Sequence, residues 1–107
     1  MRVTGVVRVG DRPVDGGWIE FIPVDGTIGN IRTAPLAPDG SFEATRVAVG
    51  TNIVGLAHAP ITLPGGHLFE TFRSPLRRDI PAGMSTHLSI DLLAEFFRVQ
   101  NAGGPRL

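Results

Sequence analysis

Arg2-Val3-Thr4-Gly5-Val6-Val7-Arg8-Val9 decides the reading of this chain. Val3, Val7 and Val9 fall on one face of an extended segment, and Arg2, Thr4 and Arg8 on the other. A period of two with charge on one side marks a half-buried strand. Gly10-Asp11-Arg12-Pro13 then turns the chain. The same grammar recurs. Gly17-Trp18-Ile19-Glu20-Phe21-Ile22-Pro23 alternates, with Ile19 and Phe21 on one face and Trp18, Glu20 and Ile22 on the other. Ile31 to Ala37 reads as an edge strand, because Pro35 cannot donate to a ladder. Pro38-Asp39-Gly40 is a turn, Ser41 to Thr45 a short strand with Phe42 inward, and Asn52 to His58 another strand. Leu76 to Ile80 is strand-like. Thr86 to Leu92 alternates, with Leu88, Ile90 and Leu92 inward. Gly (14) and Pro (9) are spread between these runs rather than gathered in a tail, as tight turns between many short strands require.

About seven strands in 107 residues predict an all-β antiparallel sandwich, Ig-like in its layers, over residues 1–93. Residues 94–107 form a C-terminal tail. Its first part, Leu93 to Val99, reads either as strand or as a short helix that places Leu93, Phe96 and Phe97 on one side. Asn101 to Leu107, rich in Gly and Pro, is expected to be flexible. The length suits one domain with one core.

The order of the signals resembles the carboxypeptidase regulatory-like, or transthyretin-like, β-sandwich domains of bacterial envelope proteins. The residues that carry the likeness are Val3 to Val7, Gly10 to Val14, Ile19 to Pro23, Asp39 to Phe42, Val49 to Val54, Ser74 to Leu76, and Leu88 to Leu92. The resemblance implies a sandwich fold, a non-catalytic role and an envelope or extracellular setting. One departure stands out. The family often carries a Tyr near the start of the fifth strand, where this chain has Asn52. A different filling of the core is expected there.

Composition narrows the chemistry. With no Cys, Tyr or Lys, thiolate metal sites, phenolate ligands and amine nucleophiles are excluded. Transthyretin-like hydroxyisourate hydrolases end in a Tyr-containing tail, and intradiol dioxygenases hold iron through two Tyr; neither pattern is present. A transthyretin-like hydrolase is therefore the least favoured reading. A Ser74, His67 and Asp79 triad lacks a nucleophile-elbow motif. His58, His67 and His87 show no ligand-pair spacing. Asp25, Thr27 and Asn30 lack the order of a calcium loop. No cofactor is expected. Arg73, Arg77 and Arg78 form a small basic cluster without interleaved aromatics, which reads as a salt-bridged or interface patch rather than nucleic-acid binding. Ten basic and ten acidic residues cancel, so no broad footprint for nucleic acid or anionic lipid is expected. No apolar run is long enough to span a membrane, and no signal peptide opens the chain.

Charged residues make up only 19%, low for a small domain with much surface. Some apolar surface is thus expected to meet a partner. Trp18, Ile22, Leu93, Phe96 and Phe97 are the candidate contact residues. The favoured function is a non-enzymatic structural or adhesion-type module that forms homo-oligomers. The alternative is a ligand-binding module for carbohydrate or another envelope protein, with Trp18 as stacking platform.

Overall fold

The computed structural model describes residues 1–60, residue 69 and residues 74–103, with side chains as far as Arg98. Eight strands and one helix follow in chain order. They are β1 (Arg2–Val9), β2 (Arg12–Pro13), β3 (Trp18–Pro23), β4 (Arg32–Pro35), β5 (Ser41–Ala44), β6 (Gly50–Ala57), β7 (Arg77–Ile80), β8 (Ser85–Asp91) and α1 (Leu92–Gly103). Two four-stranded sheets pack face to face as a β-sandwich. In the first, β8 flanks β1 on one side, and β5 and β2 pair with successive halves of β1. The second runs β4-β3-β6-β7 and is antiparallel throughout.

Alternation builds the core. Val3 and Val7 of β1, Ile19 and Phe21 of β3, Phe42 of β5, Val54 and Leu56 of β6, Ile80 of β7 and Ile90 of β8 are buried between the sheets. Phe21 and Phe42 meet across the layers with ring centroids 6.0 Å apart. Within β1, Gly5 lies on this inner face, where the Leu88 carbonyl and the Phe42 ring leave no room for a side chain.

One pairing departs from the expected pattern. β8 runs parallel to β1, with Thr4 opposite His87 and Val7 opposite Ile90. Alternation specifies which face of a strand is buried, not the direction of its neighbour, and the turn at 81–84 carries the chain across from β7 in the other sheet.

The ambiguous C-terminal stretch is helical. Asp91 accepts hydrogen bonds from the backbone N–H of Leu93 (3.0 Å) and of Gly10 (2.8 Å). One carboxylate thus caps the helix and fixes the β1–β2 turn. The helix continues to Gly103, so residues 101–103 belong to it; residues 104–107 lie outside the described part.

Both open sides of the sandwich are closed by an arginine. Arg32 on the edge strand β4 donates from Nε to the Thr45 carbonyl (2.9 Å), reaching toward the end of β5. Arg78 on the other edge strand, β7, pairs with the buried Glu95 of α1, which Arg98 also contacts at 3.1 Å. Inward charge and a covering helix both discourage another strand from adding to an edge.

Candidate functional site: two unlike ends of the sandwich

At one end of the sandwich meet the β3–β4 loop (residues 24–31), the β5–β6 loop (45–49), the β7–β8 turn (81–84) and Met1. They are stitched together. Met1 and Val47 exchange backbone hydrogen bonds, from Met1 N to Val47 O (3.1 Å) and from Val47 N to Met1 O (3.0 Å). Gly29, at φ 156°, approaches so close that a Cβ there would sit 2.6 Å from Ala48 Cβ. Asn52 is fully buried, and its Nδ2 donates to the carbonyls of Ala48 (2.9 Å) and Gly50 (3.2 Å). That grip turns Val47 and Ala48 inward and leaves Val49 outside. Asn52 thus acts as a polar clamp on the loop.

The result is an apolar surface on loops. Ile28 is 93% exposed, Met84 95%, Val49 50% and Ile31 46%. None of the four is among the contact residues expected from sequence: Ile28 and Met84 are isolated aliphatic side chains in loops, where alternation has nothing to say, while Ile31 reads as the start of an edge strand and Val49 as the residue before a Gly turn.

Around these tips stand Arg2, Arg32, Arg46 and Arg77, against Asp25, Glu43 and Asp79. Arg2 pairs with Glu43 at 2.6 Å and Arg77 with Asp25 at 2.7 Å. The Arg2 guanidinium holds the Glu43 carboxyl below its ordinary value, chiefly through the hydrogen bond, and its own pKa rises in return. Arg46 is exposed and forms no ion pair among the described residues.

The opposite end carries the turns at 10–11, 15–17 and 36–40 and the start of β3. Asp11, Asp15 and Asp39 are here, with Arg12; Arg8 and Asp91 lie opposite each other in register and add one charge of each sign. Asp39 accepts from the Ser41 hydroxyl (2.5 Å) and N–H (3.0 Å), which lowers its pKa. Trp18 stands at this end, 46% exposed. Among the described residues the ends therefore differ in sign, although the whole chain is formally neutral.

The expected contact residues divide. Trp18 and Phe97 are exposed. Leu93 is half-buried, close to Gly10. Phe96 is partly buried, packing on the core and edge-on to Phe97. Ile22, expected outside, is buried. Ile22 lies opposite Ile53, and Ile53 opposite Arg77, whose guanidinium pairs with Asp25 beyond the end of β3.

Two of the other candidate residues are engaged in hydrogen bonds within the sandwich. The Ser74 hydroxyl donates to the Val54 carbonyl (2.6 Å) and accepts from the Leu76 N–H (3.2 Å). Asp79 instead accepts from the Thr51 hydroxyl. His67 and Arg73 lie outside the described residues. His58 is exposed, and the Nδ1 of His87 is 3.1 Å from the Thr4 hydroxyl across the parallel pair. Among the described residues no cluster of His, Asp and Glu is arranged to hold a metal, and no helix is long and apolar enough to cross a membrane. Comparison with known families, curated proteins and solved structures finds no match.

Proposed function

We propose that this chain is a non-enzymatic structural module, a transthyretin-like sandwich of the carboxypeptidase regulatory-like kind, that associates with copies of itself. The order of its strand and turn motifs and the two packed four-stranded sheets support the family reading. The observation that carries the function is the gathering of Ile28, Ile31, Val49 and Met84 on the loops of one end. Burying one large aliphatic side chain is worth about 1.5–3 kcal/mol, so four leave a large driving force for contact. The commitment of Ser74 and Asp79 to structural hydrogen bonds supports a role without catalysis.

Light scattering across a micromolar concentration series tests this. The expected outcome is a mass above 11.4 kDa that rises with concentration; an invariant monomer contradicts it. Exposure of Trp18 keeps one second reading, a carbohydrate-binding face. Glycan binding that is lost in Trp18→Ala would favour it.

A further inference from the structure

Resting on the self-association reading, we infer that copies join head to tail: the Ile28/Met84 loop end of one chain seats on the Trp18 end of the next. Charge complementarity selects this arrangement over a two-fold one. Among the described residues, the loop end has four arginines against three carboxylates, while the Trp18 end has Asp11, Asp15, Asp39 and Asp91 against Arg8 and Arg12. A symmetric contact of loop end on loop end would bring each Arg46 toward its own copy, with its charge uncompensated. Contact with the other end instead places Arg46 near carboxylates and gives the protruding aliphatic tips an apolar partner in the Trp18 ring. The two ends are separated by the length of β6, eight residues or roughly 25 Å. They are therefore distinct patches, and each copy has one of each. Such a heterologous contact propagates into a filament, or into a ring if the rotation closes.

The two edges of the second sheet agree with this direction of growth. β4 has Pro35 and the inward Arg32, and β7 is joined to α1 through Arg78 and Glu95. Strand addition at β4 or β7 meets these obstacles.

The test is complementation between two variants. Ile28→Asp with Met84→Asp spoils the loop end only; both side chains are almost wholly exposed, so the fold is retained. Trp18→Arg spoils the other end only, with Asp11→Lys/Asp15→Lys as an independent second variant of that end. Each variant alone is expected to sediment as a monomer, with an unchanged circular dichroism spectrum. An equimolar mixture of a loop-end variant and a Trp18-end variant is expected to form a dimer of about twice 11.4 kDa and to stop there, because each partner has one intact end left. In the mixture with Trp18→Arg, the only tryptophan belongs to the loop-end variant, so its emission should shift to the blue as that end is covered.

Other outcomes overturn the inference and separate it from the reading beneath it. If Trp18→Arg and Asp11→Lys/Asp15→Lys assemble like wild type while the loop-end variant is monomeric, the contact is two-fold and only the head-to-tail geometry fails. A wild-type chain that stays monomeric removes self-association itself. Monomeric wild type that floats with vesicles of phosphatidylcholine and phosphatidylserine through Ile28 and Met84 would make the loop end a bilayer contact instead.

Discussion

Gly5→Ala is the sharpest test of how β1 is packed. A Cβ at this position would lie 2.2 Å from the Leu88 carbonyl oxygen and 2.8 and 2.9 Å from Cζ and Cε1 of Phe42. Ordinary carbon–oxygen contacts begin near ~3.3 Å, so β8 or β1 must move by about 1 Å. The Leu88 carbonyl belongs to a strand paired along β1, and the Phe42 ring is held against Phe21; neither is the free end of a flexible side chain. Overpacking of this kind costs about 1–3 kcal/mol, and a weakened ladder bond about 1 kcal/mol more. Loss of glycine's freedom in the unfolded chain returns ~0.4–1 kcal/mol. The net expectation is a destabilisation of about 2–3 kcal/mol, or a fall in Tm of roughly 10–20 °C for a domain of this size. Urea and thermal unfolding followed by circular dichroism would measure it. Gly26→Ala serves as the contrast. Its φ is +81° but nothing lies within 4 Å, so only backbone strain of about 1–2 kcal/mol is expected. A Gly5→Ala protein within ~0.5 kcal/mol of wild type would refute the close approach of β8 to β1 and with it the parallel pairing.

Three further outcomes are expected. Asn52→Ala removes the two hydrogen bonds that shape the 48–50 turn and leaves buried carbonyls behind, at a cost of about 2 kcal/mol in urea unfolding; an unchanged midpoint would mean that the turn holds without the clamp. Glu95→Ala leaves Arg78 without its partner at the side of the sandwich, and amide exchange in α1 should accelerate while β3 and β6 stay protected; uniform protection would show that the helix is held by its apolar face alone. The lowered pKa of Glu43 stabilises the fold above its unfolded-state pKa, and that contribution disappears as pH falls through the lower, folded-state value. Arg2→Ala should therefore flatten the acid limb of stability below the ordinary carboxylate range, and an unaltered limb would show that this exposed pair contributes nothing.

Much of the sandwich could be read from residues alone. Val3, Val7, Ile19, Phe21, Phe42 and Ile90 announce their burial because extended backbone sends alternate side chains to opposite faces. Pro35 announces an edge. Other features depend on distant partners. The parallel course of β8 is set by where the 81–84 turn delivers it. Ile22 is buried although alternation puts it on the outer face of β3. Asn52 breaks an apolar alternation, and only the carbonyls of Ala48 and Gly50 explain why. Of the expected contact residues, Trp18 and Phe97 are exposed, whereas the tail that carries Phe96 turns into a helix and tucks that ring against the core. Ile28 and Met84 escaped notice because a loop has no period to violate.

Small-angle X-ray scattering on the wild-type chain over a concentration series tests end-to-end assembly most directly. Particles are expected to lengthen with concentration while their cross-section stays that of one sandwich. A curve that keeps the dimensions of a single chain at every concentration, or one that thickens instead of lengthening, would contradict it.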